Sequence, residues 1–257
     1  MSVAYHVGRR DQVGHLRIDF GELNLLSPER LEKLHDGIVS VPEDIGVLTI
    51  GPDNGAEAGL TAGHDLETVH DLGTSEARDM LQTLNQTLTA IRDGHAVTVW
   101  CCGEFALGGG LELAMSCDFR VARADGALGL PEIDAGLLTG LQGGLLVRLV
   151  GLQAAKELVY TGEPISGTEA EDLGLVNRAV AADEYDHAID DLVGTLADKS
   201  PVILQRQREV FQALRCNGVE AGIDHSMETI ATCFDTHDQA EAMTAFLEGR
   251  EPFFGGR

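Results

Sequence analysis

Two glutamates, Glu112 and Glu132, and the glycine run that precedes the first of them raise the chemical question of this chain. Gly108-Gly109-Gly110 opens an apolar segment, Leu111, Leu113, Ala114 and Met115, which predicts a helix with Glu112 on its first turn. A glycine run at a helix start lets the backbone turn sharply and leaves N–H groups bare, and the helix dipole adds partial positive charge there. Such groups suit an oxygen that gains negative charge during a reaction. Carboxyls beside it can take and give protons. Glu132, after Leu130-Pro131, is the second such carboxyl, so the pattern predicts acid-base chemistry around a developing oxyanion.

The elements that must position these groups are legible on either side. Ala96 to Cys102 is an apolar run that predicts a buried strand entering the glycine turn, which gives the order strand, turn, helix. Asp118 to Ala122 and Ala127 to Leu130 read as two short strands before Glu132. Upstream, Leu16, Ile18 and Phe20 alternate with polar residues as in a half-buried strand, and Ser27-Pro28 marks a helix start continued by Leu31 and Leu34. The run from Ile45 to Ile50 predicts a strand that delivers the chain into a loop, Gly51-Pro52-Asp53-Asn54-Gly55. Beyond it, Gly59 to Leu66 is built of small residues that permit close approach of backbone to a ligand. Met80, Leu84, Leu88 and Ile91 form one apolar helical stripe, which predicts core, and Ser166 with Glu169 fits a capping box. After Val180 the chain turns acidic and helical, with a boundary placed near residue 195: a core over 1–195 and a helical region over 196–257. The nearly charge-free stretch from Gly136 to Ala155 is interrupted by Gln142 and Arg148, and predicts a buried packing segment rather than a membrane span.

Composition narrows the partners. The 257 residues are 44% hydrophobic, enough for a packed core, yet carry 42 Asp and Glu against 18 Lys and Arg, a formal net charge of −24. Lysine occurs only at Lys33, Lys156 and Lys199. Nucleic acid and anionic membranes need clustered basic residues, so neither is an expected partner. A surface so acidic and poor in lysine fits work in molar salt, where the Debye length falls to about 3 Å. The five cysteines, Cys101, Cys102, Cys117, Cys216 and Cys233, lack C-x-x-C spacing and read as reduced, and the scattered histidines predict no metal. The opening residues, with Arg9 and Arg10 and no apolar run, show no signal peptide, which places the expected product in the cytoplasm.

The segment Phe105-Ala106-Leu107-Gly108-Gly109-Gly110-Leu111-Glu112-Leu113-Ala114-Met115-Ser116-Cys117-Asp118 closely resembles the signature of the enoyl-CoA hydratase/isomerase family, the crotonase superfamily. Thr61-Ala62-Gly63-His64-Asp65-Leu66 is similar to that family's second motif, and Phe246 to Phe254 to its tail. The resemblance implies an α/β fold, a crotonase-like spiral of ββα turns with a C-terminal helical trimerisation region. It implies a homotrimer or a homohexamer made as a dimer of trimers. It also implies an acyl-CoA thioester as substrate, coenzyme A entering only as part of it, and no permanently bound cofactor. Residue by residue, it assigns the two oxyanion-binding N–H groups to His64 and Gly109, water activation to Glu112 and protonation of the α carbon to Glu132. Ala62, Gly63, Asp65, Leu66, Gly108, Gly110 and Gly140 are implied to line the substrate.

Three departures accompany the match. Where the family carries a basic residue and a proline after its first long strand, Asp19-Phe20-Gly21-Glu22-Leu23-Asn24 offers only acid, leaving the CoA phosphates without their usual contact. Trp100-Cys101-Cys102 replaces small residues before the turn, which points to an altered acyl pocket. The stretch Gly136-Leu137-Leu138-Thr139-Gly140-Leu141-Gln142-Gly143-Gly144 lacks the usual proline and the following Thr-Gln-Arg. Hydration of an enoyl-CoA is the leading expectation because both glutamates are present. A double-bond isomerase using chiefly Glu132 and an idle CoA-binding or assembly scaffold are the competing readings.

Overall fold

The computed structural model describes residues 2–8, 12–53 and 58–256; Arg9, Arg10 and the part of the expected loop at 54–57 lie outside them. Among the described residues, seven strands form one sheet. β1 (Ser2–Val7) pairs antiparallel with β2 (Val13–Asp19), and β2, β3 (Val47–Pro52), β4 (Val97–Leu107) and β5 (Phe119–Gly129) follow in parallel. The far edge of β5 carries two short strands, β6 (Ile165–Ser166) antiparallel and β7 (Arg178–Val180) parallel.

Central parallel strands are covered on both faces, which is why they read as continuous apolar runs rather than alternating ones. In β3, Leu48 and Ile50 face one core while Val47 faces the other; in β4, Trp100 and Cys102 face the first and Val99 and Cys101 the second. Trp100-Cys101-Cys102 is therefore a run of core residues on alternating faces. The first core is closed by α1 (Pro28–Val39), α3 (Thr74–Asp93), α4 (Gly109–Ser116) and α5 (Gly143–Thr161), through Leu31, Leu84, Leu88, Leu111 and Leu146 among others. The short helix α2 (Leu66–Val69) precedes α3. The second core is closed by α7 (Tyr185–Ala197), through Tyr185, Leu192 and Val193.

Local expectations hold at the helix starts. Ser27 caps α1 by accepting from Arg30 N at 3.3 Å, and Ser166 and Glu169 form a reciprocal capping box on α6 (Gly167–Asp172). The apolar stripe Met80, Leu84, Leu88 and Ile91 is buried along α3.

Other expectations are corrected. The two short strands expected over 118–130 are one strand, β5: residues 119–122 and 127–129 pair with β4, and the residues between them bulge out of that pairing, with Gly126 against the carbonyls of Gly103 and Glu104, where a side chain would collide. Its pairing with β4 shifts register around Gly103. The stretch from Gly136 to Ala155 is not a buried segment in the single chain. Leu137, Leu138, Val147 and Leu152 are exposed, and of α5 only Leu146, Ala155 and Leu158 are buried, because just one narrow side of this helix meets the core. Among the described residues no helix is long and apolar enough to cross a membrane.

Past Ser200 come α8 (Pro201–Asn217), α9 (Val219–Cys233) and α10 (His237–Glu248). Arg208 anchors α8 by donating to the carbonyls of Ile91, Arg92 and Gly94 at the end of α3 and by pairing with Asp118. Buried Asp238 accepts from Ser200 Oγ at 2.6 Å and from the N–H groups of Gly255 and Gly256, tying the tail to the start of α8.

Candidate active site

Three loop segments are sewn together beside the sheet. Ala62 N–H donates to Leu23 O at 3.0 Å, Leu26 N–H to Gly63 O at 2.8 Å and Asp65 N–H to Leu26 O at 2.9 Å. On the other side, Leu60 N–H reaches Phe105 O at 2.9 Å and Leu107 N–H reaches Thr61 O at 3.1 Å. Buried Asn24 locks the corner: its Oδ1 accepts from Phe20 N–H at 2.6 Å, its Nδ2 donates to Gly59 O at 3.3 Å, and it holds φ +47°, a conformation asparagine tolerates better than most residues.

This stitching brings His64 and Gly109 together. A Cβ on Gly109 would stand 3.5 Å from His64 Nε2, and one on Gly63 would stand 3.0 Å from Leu107 O and 3.6 Å from Gly109 N. Gly63 at φ +93° and Gly108 at φ +52° occupy backbone conformations that favour glycine, so the turn depends on both. Among the described residues, neither the His64 N–H nor the Gly109 N–H has a hydrogen-bond acceptor. Gly109 opens α4, where an unpaired N–H is expected and the helix dipole is positive. Gly110 has a different place: it packs on the Thr61 carbonyl, where a Cβ would come within 2.6 Å.

Both carboxyls flank that turn. Glu112, 5% exposed, sits on the first turn of α4, and its Oε1 accepts from Gln142 N–H at 3.0 Å. Burial pushes its pKa up to about 7; the Gln142 and Leu141 backbone pull against this, and the charge of nearby Glu132 adds to it. Glu132 lies on a 3-10 turn, Pro131–Ala135, with Oε1 3.2 Å from where a Cβ on Gly108 would be. Its Oε2 accepts from Thr139 Oγ1 at 2.9 Å. Gly140 follows on the exposed loop that links Thr139 to Gln142. Burial lowers the pKa of His64, which favours its neutral imidazole.

Two grooves meet at Ala62. One, of about 870 Å³, is lined by Asn24, Gly59, Ala62 and Leu107 and by the acids Asp19, Glu22, Asp53, Glu104 and Asp125. The other, of about 570 Å³, is lined by Ala62, His64, Asp65, Leu66, Phe20 and Arg30. Arg30 lies over the Phe20 ring, donates to Leu25 O at 2.8 Å and pairs with Asp65 at 3.6 Å. No group of three or more His, Cys, Asp or Glu among the described residues is arranged to hold a metal ion.

The structure thus gathers His64, Gly109, Glu112, Glu132, Ala62, Gly63 and Gly108 around one turn. Sequence reasoning missed the supports: Asn24, Thr139 and the backbone of Gln142. Asn24 carried a faint signal, an asparagine amid loop residues, whereas nothing in the spacing of Thr139 or Gln142 marked them as partners of the two carboxyls.

A profile of the enoyl-CoA hydratase/isomerase family matches residues 13–257. The chain is 30% identical over 231 residues to the short-chain-enoyl-CoA hydratase of Clostridium acetobutylicum, covering 89% of this chain and 88% of that one. It is 32% identical over 237 residues to the crotonyl-CoA hydratase of Syntrophomonas wolfei, covering 90% of each. Among solved structures, an enoyl-CoA hydratase from Bacillus anthracis superposes with a TM-score of 0.93 at 25% identity, covering 100% of both chains.

Proposed function

Since the chain belongs to the enoyl-CoA hydratase/isomerase family, we propose that it is an enoyl-CoA hydratase, adding water across the 2,3 double bond of an enoyl-CoA thioester. The observation that carries this reading is the meeting of two unpaired N–H groups, on His64 and Gly109, with two carboxyls, on Glu112 and Glu132, at one glycine turn.

The thioester oxygen sits between the His64 and Gly109 N–H groups, which take up its charge as the enolate forms. Removing one such donor typically raises a barrier by about 3 kcal/mol, so the pair is the largest single contribution. Water gives one proton to the Glu112 carboxylate as its oxygen bonds C3; the π electrons move onto the thioester as enolate, and C2 then takes the proton of Glu132. A Glu112 carboxyl held at about 7 is a base of useful strength near neutral pH. Thr139 holds Glu132 in place. Coenzyme A enters as part of the substrate, and Arg30, paired with Asp65, is the one lysine or arginine among the described residues lining the 570 Å³ groove.

The assembly we propose is a homotrimer or a dimer of trimers, formed through the helices after Ser200. Support comes from apolar side chains left on their surface, among them Phe211, Phe234, Phe246, Leu247 and Phe253. The net charge of −24 supports a protein adapted to molar salt.

The test is a panel of trans-2-enoyl-CoA esters of increasing chain length, assayed in molar KCl with product identification. A 3-hydroxyacyl-CoA product is expected. A 3-enoyl-CoA product would make it an isomerase instead, and binding without turnover would make it a scaffold.

A further inference from the structure

The loop that closes over Glu112 contains a polar side chain with no described partner. Gln142 is 2% exposed, and its Nε2 is buried without a hydrogen bond among the described residues. Its backbone is fully used: the N–H donates to Glu112 Oε1 at 3.0 Å, and the carbonyl accepts from Leu145 and Leu146 N–H. Although Gln142 occupies the capping position of α5, its side chain makes no cap bond. The bond to Glu112 therefore holds the amide within one side-chain length of that carboxyl.

Buried amide donors are normally matched by protein or by ordered water, and an unmatched one is costly to keep. Beside Glu112, water is itself the reactant. A water that donates one hydrogen to the Glu112 carboxylate and the other to the unprotonated oxygen of the Glu132 carboxyl has two lone pairs left, one to attack C3 and one with no donor to fix it. We propose that the side-chain amide of Gln142 supplies that donor and binds the oxygen being added, as water before the addition and as the C3 hydroxyl after it. The inference rests on the hydratase reading of the site. No atom is transferred to or from Gln142.

The role separates from a merely structural one in a partial reaction. Exchange of the α protons of a saturated acyl-CoA with D2O needs the two N–H groups and Glu132, but no attacking water. Gln142→Met keeps length and burial and removes the donor. Its hydration kcat on the best enoyl-CoA is expected to fall roughly tenfold, the worth of one net hydrogen bond, while butyryl-CoA α-proton exchange, read by NMR, stays within about twofold. Its melting temperature should change little, because side-chain length and burial are kept. Gln142→Asn, with the amide drawn back by one methylene, should fall between the two. Unchanged hydration in Gln142→Met overturns the inference, as does a parallel loss of hydration and exchange. A wild type that hydrates no enoyl-CoA overturns the hydratase reading itself, an outcome distinct from either.

Discussion

At Glu112, burial and the charge of Glu132 oppose the N–H groups of Gln142 and Leu141, and the carboxyl is pushed up to about 7 from an ordinary 4.5. Two pH effects follow. Hydration needs the ionised form as base, so kcat/KM for hydration should rise with pH along a limb centred near 7, and the limb should vanish in Glu112→Gln. For stability the sign is the reverse. Between 4.5 and about 7 the folded chain keeps a proton that the unfolded chain has lost, so this group's contribution is whole below 4.5 and disappears as pH rises through 7. Melting temperatures of the wild type and Glu112→Gln, compared from about pH 5 to pH 8, should show the variant gaining on the wild type; a constant difference would contradict the raised pKa. Thr139→Val, which removes the hydroxyl held on Glu132 Oε2, should lower kcat roughly tenfold with little change in fold.

At the scale of elements, the site depends on the join between 59–65 and 102–108. Gly63→Ala places a methyl 3.0 Å from Leu107 O at φ +93°, so the join must shift and hydration should drop with it, although neither carboxyl is touched. The helical floor is tested by Leu88→Ala: Leu88 is fully buried on α3, and the change should cost about 2–5 kcal/mol in a denaturant titration. Much of this level was legible, because short-range rules govern it. The glycine turn into α4, the Ser27 cap and the α3 stripe each follow from a few adjacent residues. Long-range pairing was not legible. Asp125-Gly126 reads as a break in isolation, but it lies in a bulge of the β4 pairing, with Gly126 against the carbonyls of Gly103 and Glu104, and β5 resumes its pairing at Ala127. For the same reason the glutamates could be picked out by type, while Thr139 and Gln142, which hold them, became visible only when the loop folded back over α4.

For the whole molecule, charge and apolar surface set the expectations. With a net charge of −24, mutual repulsion is strong at low salt, and a circular-dichroism melt in molar KCl should lie well above one in dilute buffer; equal melts would remove the salt-adapted reading. Sedimentation should give three or six chains per particle, whereas a monomer would leave Phe246, Leu247 and Phe253 exposed, each more than four-fifths accessible. The central claim is that two carboxyls act on one thioester held by two backbone N–H groups. It is tested most directly by hydration of a trans-2-enoyl-CoA by the wild type, Glu112→Gln and Glu132→Gln under one high-salt condition, following loss of the conjugated enoyl-thioester absorbance together with formation of the 3-hydroxyacyl product. Each variant is predicted to lose about 10²–10⁴-fold in kcat. Variants that match the wild type would contradict the account.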